Sequence, residues 1–203
     1  MGLEKETADL AQKFRQEYDE FFEWVKGGET PLYPITQEEQ ENILSKFEEV
    51  RVVSLTPEDI EDQPLNQQRW HLERRDIEYF YGLARPEDIG CACPYGWVEK
   101  VNRITDQQHA MFGVERFPRL EDKAAHMAWL LLKNQVFPDY NRGIGALAIL
   151  VLLGRNSVEL KPKHEELLLF FSILNFLYVR VETQEKDEDQ AIIILGEIIK
   201  NWE

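Results

Sequence analysis

Residues 137–145 read Phe-Pro-Asp-Tyr-Asn-Arg-Gly-Ile-Gly and join two apolar segments with helical spacing, 123–133 and 146–153. A turn that opens directly into a helix presents backbone N–H groups that no intrahelical carbonyl accepts. Such groups favour the binding of a phosphate. We therefore take this stretch as the candidate functional loop.

Apolar residues recur at helical spacing through most of the remaining chain, which predicts a mainly α fold. Thr36 and Glu39 have the spacing of a capping box at a helix start. The stretch 82–98 contains five Gly and Pro residues and predicts a loop or at most a short β-hairpin. Helices are predicted at 3–25, 37–50, 56–80 with a break at Pro64, 97–112, 120–134, 141–154, 163–181 and 190–202.

The composition limits the class of protein. The chain has 203 residues, of which 43% are hydrophobic and 30% charged, which fits a globular protein with one well-filled core. Two cysteines make no disulfide framework, and neither a signal-peptide pattern nor an apolar run of membrane-spanning length is present, so we expect a cytoplasmic protein without membrane contact.

The net charge of −15 argues against a general nucleic-acid binder, because neutralising phosphates requires excess Lys and Arg. Charge is unevenly distributed along the chain. Residues 121–164 carry six basic and four acidic side chains and include the candidate loop. A locally positive potential there favours a small anionic ligand.

The loop resembles the signature motif of the Fic/Doc family, whose usual form is H-x-F-x-D-G-N-(G/K)-R. The resemblance covers about residues 110–160. It includes a lead-in with Phe112-Gly113 and Phe117-Pro118, then 122–125, and a following helix that begins near Gly145. It implies a Fic/Doc-like helical bundle over residues 65–203, preceded by an N-terminal helical extension, residues 1–64.

The resemblance also implies residue roles. Phe137 would anchor the loop in the core, and Asp139 would coordinate Mg²⁺, for which a carboxylate is a suitable ligand. Asn141 would shape an anion hole, and Arg142 and Gly143 occupy the neighbouring phosphate-binding positions. The implied cofactors are Mg²⁺ and ATP or another nucleotide.

Three residues depart from the family pattern. Gln135 stands at the position of the catalytic histidine, and glutamine is no general base, so about 10²–10⁴ in rate is lost. Tyr140 replaces a glycine that lets phosphate approach the backbone. Gly143 replaces an arginine that donates to phosphate. The catalytic residue is therefore unknown, and the loop is a degenerate site.

Simpler interpretations exist for several of these residues. Asp139 and Asn141 also fit helix caps. Cys91 and Cys93 are free cysteines rather than a zinc site, which needs four ligands. An aromatic stripe in the first helix indicates either core or a dimerisation helix; it consists of Phe14, Tyr18, Phe21 and Phe22. His109 and His126 show no metal-binding spacing, and His109 is a candidate base only if folding brings it near Asp139.

Three functions follow. The first is a Fic/Doc-like pseudoenzyme that binds a protein partner, with AMPylation-related ancestry and a toxin–antitoxin or phage-conflict setting implied by the resemblance alone. The second is an active nucleotidyl- or phosphoryl-transferase with non-standard catalytic residues, acting on a protein hydroxyl. The third is an acidic helical inhibitor or adaptor, in which segments 29–64 and 182–189 are a partner surface rather than solvated charge. A homo-oligomer is compatible with each.

Overall fold

Apolar side chains at helical spacing form α-helices in the computed structural model, which describes residues 2–25, 34–51, 70–85, 95–109, 116–158 and 160–202, with the backbone alone for residues 2–4. Within these ranges no strand occurs, and the predicted mainly α fold is confirmed. The helices are α1 (Gly2–Glu17), α2 (Asp19–Trp24), α3 (Gln37–Glu49), α4 (Arg74–Ala84), α5 (Trp97–Asp106), α6 (Leu120–Lys133), α7 (Asn141–Arg155), α8 (His164–Glu182) and α9 (Glu188–Lys200).

The predicted capping box at the start of α3 is confirmed. The Thr36 N–H donates to Glu39 Oε2 over 2.7 Å, and the Glu39 N–H donates to Thr36 Oγ1 over 3.2 Å. These two bonds satisfy donors that the first helical turn leaves without carbonyl acceptors.

Several predicted boundaries are wrong. Helix α5 ends at Asp106 instead of near 112, and α4 continues to Ala84 instead of ending at 80. Residues 70–73 precede α4 instead of belonging to it, because Glu73 is the N-cap and its N–H donates to Asp76 Oδ2 over 2.8 Å. The first helical segment is split at Tyr18, whose φ of −109° and ψ of 32° lie outside the helical region. The predicted helix start at 56–59, both cysteines and Phe112-Gly113 lie outside the described residues.

The chain forms two compact units. The first comprises residues 1–30, 68–108 and 127–160, and the second comprises 31–67, 109–126 and 161–203. Both units contain residues from each side of position 64, so the division into an N-terminal extension and a residue 65–203 domain stays a prediction.

In the first unit, α7 is surrounded by other helices. Every residue from Gly143 to Leu153 is buried, which is typical of a central helix that is apolar on all sides. Helices α1 and α4 pack against it and against each other, and α5 packs against α4. The aromatic stripe of α1 and α2 belongs to this core, since Phe14, Tyr18, Phe21 and Phe22 are all buried.

In the second unit, α9 packs between α8 and α3. The Trp202 ring packs edge-on against the Phe170 ring, with the two ring centroids 5.4 Å apart. The Gln190 amide donates to the carbonyls of Phe47 and Val50 and so satisfies the last turn of α3. No helix among the described residues has the length and apolar character that a membrane span needs.

Gly196 on α9 allows a close approach to Asp122 on α6. A Cβ at position 196 would lie 3.1 Å from the Asp122 Cα and would also meet its carboxylate. That carboxylate accepts two bonds from Arg119, at 2.8 and 2.6 Å, and Arg119 also pairs with Glu197. Burial raises the pKa of Asp122, and the Arg119 guanidinium opposes that shift. The added methyl group would therefore displace a buried charged network.

We predict that Gly196→Ala lowers the free energy of unfolding in urea by about 1–3 kcal/mol, the usual cost of overpacking. Gly82→Ala is the control, because nothing lies within 4 Å of a Cβ added at this α4 position. That substitution should stabilise the protein by roughly 0.5–1 kcal/mol through helix propensity. Equal effects of the two substitutions would contradict the packing explanation.

Candidate functional site

The loop between α6 and α7 turns through two residues with positive φ. Gln135 has φ 40° and Tyr140 has φ 60°, a region that residues other than glycine seldom adopt. The Gln135 N–H donates to the Leu132 carbonyl over 3.1 Å at the end of α6, and its side chain is exposed. Tyr140 is 8% exposed and precedes α7, where its carbonyl accepts from the Ile144 N–H. Tyrosine thus holds a conformation that glycine adopts without strain.

The Asn141 side chain holds the loop closed through two hydrogen bonds, which we call the Asn141 bracket. Its Oδ1 accepts from the Phe137 N–H over 3.2 Å, and its Nδ2 donates to the Phe137 carbonyl over 2.7 Å. The Phe137 ring is 1% exposed and stacks on Tyr81 with centroids 4.2 Å apart. Trp97 lies on the same ring at 6.0 Å. The loop is therefore anchored in the core of the first unit.

The alternative interpretation of Asp139 and Asn141 as helix caps is wrong. The N-cap of α7 is Tyr140, and no side chain caps the helix at that position. Asn141 is the first helical residue, and its amide is occupied by the main chain of Phe137. The helix begins one residue later than a cap at Asp139 requires and one residue earlier than a cap at Asn141 requires.

Asp139 is the acidic residue of the loop, and its carboxylate is partly buried. Its Oδ1 is buried and has no hydrogen-bond partner among the described residues. Desolvation raises the pKa of Asp139, while the positive charge of Arg85 and a bond from the Asp139 N–H lower it and only partly compensate. A cation or a hydrogen-bond donor at this oxygen would stabilise the ionised form.

Arg142 and Gly143 lie in the first turn of α7. Burial lowers the pKa of Arg142, because a low-dielectric setting disfavours the charged guanidinium. Gly143 faces the core: a Cβ there would lie 3.2 Å from two ring carbons of Phe22 and 3.5 Å from the Ala84 Cβ. A phosphate-binding side chain at position 143 would have to displace Phe22.

The described residues contain no group of three or more His, Cys, Asp or Glu side chains that could hold a metal ion. His126 is buried on α6, with its ring 4.7 Å from that of Phe117, as expected for a packing residue. His109 is exposed at the end of the segment that follows α5. Neither observation assigns a general base, and the catalytic residue stays unknown.

The acidic segment 182–189 is largely tied into the second unit. Glu185 pairs with Arg180 at 2.6 Å, and Asp189 pairs with Arg116. Asp187 caps α9 by accepting from the N–H groups of Asp189 and Gln190. A cleft of about 500 Å³ lies beside the segment and includes Glu48, Glu185, Asp187 and Glu188 in its lining. Glu185, Asp187 and Asp189 thus have partners within the second unit. This favours solvated surface over a dedicated binding face for the segment 182–189.

Sequence reasoning missed the side chains that surround the loop from α4 and α5. Tyr81 and Trp97 pack on Phe137. The positive charge of Arg85, which follows α4, lowers the pKa of Asp139. The Lys100 ammonium donates to the Asn134 carbonyl over 3.3 Å at the end of α6. The apolar spacing in 74–84 indicates a buried face but does not say which loop it faces.

Comparison of the chain with protein-family models, with curated proteins and with solved structures finds no significant match. Membership of the Fic/Doc family therefore stays a prediction that rests on the motif.

Asn141→Ala should lower the free energy of unfolding by about 1–3 kcal/mol, because both main-chain groups of Phe137 lose their partner in a partly buried setting. Asn141→Asp should not restore the native stability, because it keeps the acceptor for the Phe137 N–H but turns a carboxylate oxygen toward the Phe137 carbonyl oxygen. The control is Asn134→Ala, whose amide makes one bond to the Leu130 carbonyl within its own helix and turn. It should cost about 0.5 kcal/mol or less. A cost for Asn141→Ala no larger than the control, measured in urea, would rule out the bracket.

Asp139→Asn should stabilise the protein relative to the native chain more at neutral pH than in acid. The raised pKa means that the folded state binds more protons than the unfolded state above the ordinary value of 3.8, so native stability falls as pH rises through this window. The amide has no such dependence. Thermal unfolding of both proteins at about pH 4 and about pH 7 measures the difference.

Glu185→Gln provides the opposite control. Arg180 lowers the pKa of Glu185, so this carboxylate stabilises the folded state at neutral pH and its contribution is lost as the pH falls through its folded pKa. Glu185→Gln should therefore be less stable than the native chain at neutral pH, with the difference shrinking in acid. The same sign for both substitutions would show that the Asp139 carboxylate is not desolvated.

Proposed function

We propose that this chain is a Fic/Doc-like pseudoenzyme, whose loop 135–143 now stabilises the fold and which acts by binding a protein partner. The observation that carries the proposal is the Asn141 bracket. The amide that the resemblance assigns to an anion hole already bonds both main-chain groups of Phe137. One N–H of that amide is committed to the Phe137 carbonyl, so only its second N–H is left to donate to a phosphate.

Two further positions support a structural loop. The side chain of Gln135, at the family histidine position, is exposed and offers no basic group near neutral pH. Gly143 stands at the family arginine position and packs against Phe22. The family histidine and arginine positions thus both lack the side chains that the family pattern requires.

Protein binding is the remaining activity that the exposed residues favour. Interfaces are enriched in Tyr, Trp and Arg. In the first unit Tyr95 is fully exposed, and Trp70 is partly exposed with the Arg155 guanidinium 5.6 Å from its ring. The net charge of −15 disfavours nucleic acid as the partner. A cytoplasmic location and a toxin–antitoxin or phage-conflict setting belong to the proposal through the resemblance alone.

Isothermal titration calorimetry with ATP, in the presence and absence of Mg²⁺, tests the proposal. We expect no Mg²⁺-dependent heat from the native chain, and the same result from Asp139→Ala. Mg²⁺-dependent binding that Asp139→Ala abolishes would overturn the pseudoenzyme and favour a nucleotide-using enzyme.

A restored variant gives the matched comparison. Gln135→His with Tyr140→Gly supplies the missing base and relieves the positive φ at position 140. Arginine at position 143 is left out because its Cβ would contact Phe22 at 3.2 Å. If ATP binding or nucleotide transfer appears in this variant while the native chain shows neither, a decayed Fic/Doc site is supported. If the variant folds and neither appears, descent from such a site loses support.

One observation favours a second candidate, a transferase that uses Mg²⁺ and a nucleotide. The buried Asp139 Oδ1 lacks a hydrogen-bond partner among the described residues, and Mg²⁺ accepts one carboxylate when phosphate oxygens and waters complete its shell. Asp139 would hold the ion and Arg142 would face the phosphates. The titration with and without Mg²⁺ distinguishes this candidate from the first.

A further inference from the structure

Residues Trp70–Glu73, which we call the strap, are held by side chains in the way that a bound peptide is held. Asn156 Oδ1 accepts from the Trp70 N–H over 3.1 Å, and its Nδ2 donates to the Trp70 carbonyl over 3.0 Å. Two residues on, Gln108 Oε1 accepts from the Leu72 N–H over 2.9 Å, and its Nε2 donates to the Leu72 carbonyl over 2.8 Å. The same main-chain pair is bonded at alternate residues, which is the period of an extended segment.

The two amides are also positioned by their own surroundings. Gln108 Nε2 donates to the Thr105 carbonyl over 2.9 Å at the end of α5. Asn156 Nδ2 donates to the Leu152 carbonyl over 2.8 Å at the end of α7. Because each amide is anchored to a helix terminus, the receptor is preorganised, which lowers the cost of ordering it on binding.

A guanidinium lies between these two amides. Arg155 Nη1 donates to the His71 carbonyl over 3.4 Å and lies 3.6 Å from Asp76 Oδ2. The bond from the Glu73 N–H to Asp76 Oδ2 is the N-cap of α4 itself and is not part of the receptor. Successive peptide groups of the strap thus meet an amide, a guanidinium and a second amide.

Recognition of this kind takes its affinity from the main chain and its specificity from side-chain pockets. The Leu72 side chain is 1% exposed and is the apolar anchor. Trp70 is 38% exposed and is recognised through the Arg155 guanidinium. The pattern that fits is an aromatic residue, any residue and a leucine.

We propose that the first unit contains a binding groove for an extended peptide of this pattern in a partner protein, and that the strap is the chain's own competing ligand. Opening the strap exposes the amides of Gln108 and Asn156 together with the Leu72 pocket. The partner peptide then forms the same five main-chain bonds with Asn156, Gln108 and Arg155. The groove depends on the geometry of the first unit and not on the Fic/Doc resemblance, so the two proposals fail separately.

Fluorescence anisotropy with a labelled synthetic peptide that repeats residues 70–75 tests the groove. The full-length native chain and the full-length variant Trp70→Ala with Leu72→Ala are titrated in parallel. The variant should bind the peptide at least tenfold more tightly than the native chain, because its own strap has lost both anchors. Adding Gln108→Ala and Asn156→Ala to the variant should weaken binding at least tenfold, and a peptide with alanine for leucine should not bind.

The proposal is overturned if removing the two strap anchors does not strengthen peptide binding. It is also overturned if removing the amides of Gln108 and Asn156 does not weaken that binding. If circular dichroism shows that the strap variant is unfolded, hydrogen exchange of the native chain tests whether the strap opens independently of α4. Independent opening of the strap predicts that the Trp70 and Leu72 amides exchange at least tenfold faster than the Phe80 amide in α4. Exchange at the rate of Phe80 would make the strap an inseparable part of the core, and the groove would not exist.

Discussion

The burial of α7 on all sides is the constraint on which the first unit depends. A helix that packs against both α1 and α4 gains apolar contacts from Gly143 to Leu153. Side-chain amides bond main-chain groups next to both of its ends. Asn141 bonds the loop that enters α7, and Asn156 bonds the strap beside its exit. Gln108 repeats the device at the end of α5.

The two hydrogen bonds of its side-chain amide give Asn141 a structural role in the loop. An asparagine that bonds both main-chain groups of one residue fixes the path of the chain more strictly than a single cap does. The path fixed by Asn141 puts Phe137 onto Tyr81 and leaves the Asp139 carboxylate partly desolvated, with its pKa raised. The same asparagine is the one that the family pattern assigns to phosphate. The bonds that hold this loop do not depend on a ligand.

Ion pairs and close helix packing stabilise the second unit, in addition to the Gln190 amide. Gly196 lets α9 approach the segment of α6 that carries Asp122, and Arg119 links that carboxylate to Glu197. Arg116, Arg180 and the cap at Asp187 use up most of the acidic side chains between residues 182 and 189. Three of the carboxylates in the segment 182–189 therefore have a function within that unit. The exposed aromatic side chains of Trp70 and Tyr95 lie on the first unit.

The sequence by itself determined the helices and most of their ends, because apolar spacing and capping residues such as Thr36 and Glu39 are local signals. It also located the loop and the departures at Gln135, Tyr140 and Gly143. Only the tertiary structure decided what those residues contact. The partners of Asn141, Gly143 and Leu72 were not evident from sequence, and for Gly143 and Leu72 they come from distant parts of the chain. The strap shows the limit most clearly: its spacing is compatible with a helix, and four bonds from Gln108 and Asn156 hold it outside α4.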